Sequence, residues 1–127
     1  MKAILIDPKQ GSVKQVEHDG SLQNMYDLLG CRTVDFVQTY PNGDGMYVDD
    51  EGLYVEDQHF FIHLNYPQPI AGKALILGTN DDGDSIAPDV SVQEVNEMIR
   101  WIGDKHNLMW IMNMVEKFAE VEPAGRA

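Results

Sequence analysis

This chain of 127 residues has one cysteine, no long apolar run and, across its middle, almost no positive charge. The lone Cys31 excludes an internal disulfide and a zinc site built on cysteines. It follows Leu28-Leu29-Gly30 at an expected helix end, where a buried, inert thiol is the expectation rather than a reactive one. No apolar stretch approaches the roughly 18–20 residues needed to span a bilayer. The opening "MKAILIDPKQ" holds an apolar run of only four residues before Asp7, too short for a secretory core, and reads as a first strand in a cytoplasmic protein. Also missing are GxSxG, a phosphate-binding P-loop, HExxH and a Cys–His unit. The expectation is therefore a protein without enzymatic activity and without a cofactor.

What is present is acid, and it is unevenly placed. The net charge is −12. Between Thr33 and Ile99 stand thirteen acids and one base, Lys73; the rest of the chain carries eight of each. Such a field repels nucleic acid and anionic membranes and attracts cations or basic protein surfaces. The densest stretch, "NGDGMYVDDEG" at 42–52, continues into "LYVED" at 53–57. Its acids Asp44, Asp49, Asp50 and Glu51, with Glu56 and Asp57, form the candidate partner-binding face. Turn chemistry is the rival explanation, since Asp and Asn accept local backbone hydrogen bonds.

The apolar fraction of 43% suits one globular domain over 1–127, with a frayed tail at 122–127. Lys2–Ile6 and Val13–Glu17 read as strands joined by "DPKQGS", the second carrying a bulge or lying at an edge. Asp19 or Ser21 can cap a helix at 21–29 that Gly30 stops. "TVDFVQTY" and "MYVDD" flank an Asn-Gly hairpin turn. "LYVEDQ" and "HFFIHL" read as further strands, and "KALILG" as a central strand buried on both faces. "SVQE" at 91–94 is a capping box. Val92, Val95, Met98, Ile99 and Ile102 then predict one helix ended by Gly103. A last helix over about 105–120 places Leu108, Ile111, Met112, Val115 and Phe118 on one face and Trp110 and Met114 on another. The fold class is α+β: a mostly antiparallel sheet of about six to seven short strands, one short helix after the first hairpin and two C-terminal helices packed on the sheet.

Two patterns invite a metal. Asn80, Asp82 and Asp84 alternate like the start of a calcium loop, but Ser85 and Ser91 stand where that loop needs Gly and Glu. His59 and His63 have helical zinc-pair spacing, yet in a strand they lie about 13 Å apart. Trp110 and Met114 suit a partner or a second copy of the chain, and a homodimer is one expectation.

The opening "MKAILIDPKQGSVKQVE", then "YVDDEGL", then "PQPIAGKALILG" and the acidic "NDDGD" resemble a family of small uncharacterised proteins. Its members occur in bacteriophages, plasmids and other mobile elements, and it is known as a domain of unknown function. The likeness runs from Met1 to about Ile102; the C-terminal helix has no counterpart in the family pattern. The resemblance supplies no catalytic residues. It implies a mobile-element setting, with the host cytoplasm as location if phage-encoded, and an accessory role in modulating host machinery. Together with the charge, it points to a basic host protein as partner, with proteins that handle nucleic acid among the candidates. The alternatives are a small-ligand or divalent-metal module using the 79–85 loop, and an enzyme with an unrecognised site.

Overall fold

In a computed structural model, the backbone is described for residues 1–126 and side chains for residues 1–117. The side chain of Phe118 and the tail expected at 122–127 lie outside that side-chain description. The chain is α+β. Strands β1 (Lys2–Asp7) and β2 (Ser12–Glu17) form the opening hairpin, and α1 spans Leu22–Leu29. The hairpin β3 (Val34–Gln38) and β4 (Gly45–Asp49) follows, and then a 3₁₀ turn at Gly52–Tyr54. Next come β5 (His59–His63), β6 (Ile70–Ala71), β7 (Ala74–Thr79) and β8 (Ser85–Ile86). The chain closes with α2 (Val92–Glu97), β9 (Ile99–Asp104) and α3 (Lys105–Arg126).

Every strand pairing is antiparallel. The larger sheet runs β2-β1-β7-β4-β3, with β8 paired to β7; the smaller runs β6-β5-β9. As its continuous apolar composition predicts, β7 lies between β1 and β4, and Ala74–Leu77 are buried. Alternation then sorts the side chains. Ile4, Ile6, Met46, Ala74 and Ile76 face the smaller sheet's Phe61, Ile70 and Ile99 and the Val95 of α2. Ala3, Leu5, Leu75 and Leu77 face α1 through Met25 and Leu29. Phe60 and Ile102, on the outer side of the smaller sheet, meet Leu108 of α3. The layers are thus α1, larger sheet, smaller sheet with α2, and α3.

Local chemistry sets the ends. Ser21 caps α1, its hydroxyl accepting from the Asn24 N–H at 3.1 Å, and Gly30 ends it in the left-handed region. The capping box of α2 forms in both directions between Ser91 and Glu94. The second strand lies at a sheet edge.

Three expectations are corrected. The helix expected to run on to Gly103 stops at Glu97, and Ile99–Asp104 becomes a strand against β5. Ile99 faces the inter-sheet core while Ile102 reaches α3. A register shift and the positive φ of Gly103 (+98°) mark a bulge there. "LYVEDQ" is no strand. It carries the chain from one sheet to the other, pinned where Gly52 sits so close to the Ala71 carbonyl that a Cβ would lie 2.7 Å from it. The β3–β4 connection is wider than an Asn-Gly turn: Gly43 N–H donates to the Tyr40 carbonyl at 3.1 Å with Pro41 second in the turn, and only Gly43 takes positive φ.

Candidate functional site

The crossover at 50–57 is the most distinctive surface on the molecule. The Asp49 carboxylate accepts from the Glu51 N–H at 2.9 Å, and the Tyr54 N–H donates to the Glu51 carbonyl at 3.0 Å. The Gln58 side chain donates to the Gly52 carbonyl at 2.6 Å and closes the loop. With the backbone held at Gly52, the next three side chains project outward: Leu53 is 64% exposed, Tyr54 84% and Val55 45%. Asp50 and Glu51 precede them and Glu56 and Asp57 follow, all exposed, and Asp49 is half-buried. Arg32 approaches Glu51 at 3.8 Å, both side chains in solvent, so it leaves most of the local charge uncompensated.

The crossover is a ridge between two recesses. One, about 320 Å³, is lined by Val55, Glu56 and Asp57 with His59, Lys9 and Lys73. The other, about 160 Å³, is lined by Asp50 and Leu53 with Asp35, Val37 and Tyr66. Lys73, the one base in the acidic segment, thus lies beside the acids. Asp7, at the same recess, is committed to its turn and accepts from the Lys9 and Gln10 N–H groups at 3.0 and 3.2 Å.

Asp44 does not belong to this face. It is 4% exposed, and its Oδ2 accepts from the Asp89 N–H (2.9 Å), the Val90 N–H (3.1 Å) and the Asn42 side chain (3.1 Å). It ties the β3–β4 loop to the approach of α2 and is unavailable to a partner. Of the expected acids, Asp49, Asp50, Glu51, Glu56 and Asp57 remain together at the surface.

The other candidates separate. The Asn80 side-chain oxygen accepts from the Asp82 and Asp84 N–H groups at 3.0 and 2.9 Å, so the turn itself occupies it. Among the described residues, no three His, Cys, Asp or Glu side chains gather around a metal position. His59 and His63 take different roles. His59 Nδ1 lies 3.1 Å from the Asp57 carbonyl, which can only accept, so Nδ1 carries the proton. His63 is fully buried: its Nδ1 accepts from the Asn65 N–H at 3.1 Å, and its Nε2 lies 2.8 Å from the Tyr40 hydroxyl. Burial holds His63 below the usual histidine pKa. Burial, with Glu94 and Asp44 adding to it, pushes Tyr40 up to about 12. Nothing in the sequence joined Tyr40 to His63, which are 23 positions apart; only the packing of the two sheets does.

Cys31 is half-buried. Burial first, and the Asp49 carboxylate second, push its thiol up, against an opposing hydrogen bond from the Thr33 backbone. Among the described side chains of α3, only Leu108 is buried and Ile111 half-buried; Met112 and Val115, expected on the core face, are exposed, as are Trp110 and Met114. The helix touches the smaller sheet through Leu108 and Ile111. No helix among the described residues is long and apolar enough to cross a membrane.

Residues 1–100 match the family described as Domain of unknown function (DUF3846). A relative, "Uncharacterized protein y4iR" of Sinorhizobium fredii, is 30% identical over 94 residues, which is 72% of this chain and 58% of that protein. The chain thus spans less than two thirds of the relative's length. No solved structure matches. With its first hundred residues matched across both sheets as far as the start of β9, this chain belongs to the DUF3846 family.

Proposed function

We propose that this protein is a non-enzymatic accessory protein that docks onto a basic surface of a host protein through the 49–57 ridge. One observation carries the reading: Leu53, Tyr54 and Val55 stand in solvent, flanked along the chain by Asp49, Asp50 and Glu51 on one side and Glu56 and Asp57 on the other. Protein interfaces pair an apolar, often aromatic centre with a polar rim, and a small central cluster supplies most of the energy. Here Tyr54 is the anchor. Asp50, Glu51, Glu56 and Asp57 steer a basic partner and make association fast and salt-sensitive. The mobile-element setting that the family resemblance implies suits a role in modulating host machinery, with nucleic-acid-handling proteins as the basic candidates.

The test is capture from the natural host by the tagged protein at low and high salt. Alongside run Tyr54→Ala and an Asp50→Lys/Glu51→Lys/Glu56→Lys variant. A defined basic partner that wild type holds at low salt, and both variants lose, supports the reading. An empty wild-type capture at low salt, or a partner that both variants keep, refutes it.

A further inference from the structure

The ridge leaves α3 unexplained. Met109 and Met112 are 63% and 50% exposed on its outward side, although large apolar side chains gain roughly 1.5–3 kcal/mol from full burial. A groove of about 420 Å³ runs over this side, lined by Met109, Met112, His106, Trp110, Asn113 and Glu116. Spacings of four, three and four place Lys105, Met109, Met112 and Glu116 in one stripe. The stripe is basic at its start, apolar in the middle and acidic at its end. Reversed, it complements itself: Lys105 falls opposite Glu116 and Met109 opposite Met112.

We infer that this stripe is a self-association surface, on which a second copy of the chain lays its own α3 antiparallel about a two-fold axis between Trp110 and Ile111. The contact is isologous, so each ionic and each methionine contact occurs twice. Among the described residues neither Lys105 nor Glu116 has an ion-pair partner within its own chain. Charge also selects this face over others for self-contact. The acidic excess of the protein lies between Thr33 and Ile99, whereas residues 105–117 hold Lys105 and Lys117 against Glu116. Two copies meeting through the acidic segment repel each other; the stripe carries no such excess, and the acids beside it, Glu56, Asp57 and Asp104, share a recess with its Lys105 end alone.

Sedimentation velocity on the full chain over a micromolar dilution series tests this, with Met109→Asp, Lys105→Glu, Glu116→Lys and the Lys105→Glu/Glu116→Lys exchange. Wild type is expected to form a dimer that persists at high salt, and Met109→Asp to abolish it. Each single charge reversal weakens the dimer roughly five- to tenfold, since two exposed pairs turn repulsive at once. The double exchange restores it. A wild-type chain monomeric throughout overturns the inference, as does a dimer indifferent to Met109→Asp. A double exchange no better than the single reversals overturns the register.

Discussion

His63 makes a sharp prediction about acid. Its Nδ1 accepts a backbone hydrogen bond, so in the folded protein the proton sits on Nε2, which donates to the Tyr40 oxygen. A second proton would have to enter at Nδ1, against the Asn65 N–H and inside the core. The folded pKa is accordingly depressed, with burial as the cause. The sign follows from linkage. The unfolded chain, with an ordinary histidine pKa of about 6.5, binds the proton more readily than the folded one, so stability rises with pH and falls as pH drops below about 6.5. The loss continues until the depressed folded pKa is reached, at up to about 1.4 kcal/mol per pH unit. In His63→Gln the side-chain amide can still donate to Tyr40 but cannot titrate. Urea unfolding at pH 7.5 and 5.5 should show a larger drop for wild type than for His63→Gln. Comparing the two drops removes every contribution common to both proteins. Keeping above pH 5 avoids most carboxylate protonation. Equal drops in the two proteins would refute the assignment. Tyr40→Phe supplies an independent check, because it orphans a buried Nε2–H and should cost about 1–3 kcal/mol at pH 7.5.

Two further outcomes follow from the same structure. Asp44→Ala strips the partner from the Asp89 and Val90 N–H groups and should lower stability by about 1–3 kcal/mol in urea unfolding, whereas Asp50→Ala at the exposed turn should change it by less than about 0.5 kcal/mol. Cys31, its thiol pushed up by burial and Asp49, should react with iodoacetamide more slowly at pH 8 than a free cysteine does; a rate equal to that of the free thiol would contradict the placement.

Where one residue type has one local meaning, the sequence was readable. Asp7-Pro8 and Gly11 make the first turn, Ser21 and Gly30 bracket α1, and the unbroken "ALIL" marks the central strand. Reading failed where two periods coincide. Val95 and Ile99 are four apart and fit a helical stripe, while Ile99, Trp101 and Gly103 equally fit a strand; the vacant edge of β5 decides for the strand. "LYVED" has strand-forming residues, yet its duty is to cross between sheets, and no strand pairs with it. The acidic ridge was visible as composition, but its apolar centre was not, because Leu53, Tyr54 and Val55 read as part of a strand. Asp44 could not be told from its surface neighbours, since its hydrogen-bond partners Asp89 and Val90 lie 45 and 46 positions away.

The position of β7 has a consequence during synthesis. Two hairpins, β1–β2 and β3–β4, are complete once residue 49 has been made, but the strand that joins them spans Ala74–Thr79. Until that strand clears the ribosome, the nascent chain presents two unjoined edges and the apolar faces of β1 and β4 together. The larger sheet therefore closes late and in a single insertion, with both neighbours zipping onto the new strand. A chain stalled before residue 74 would carry both hairpins and no core, and would fall to chaperones or to aggregation.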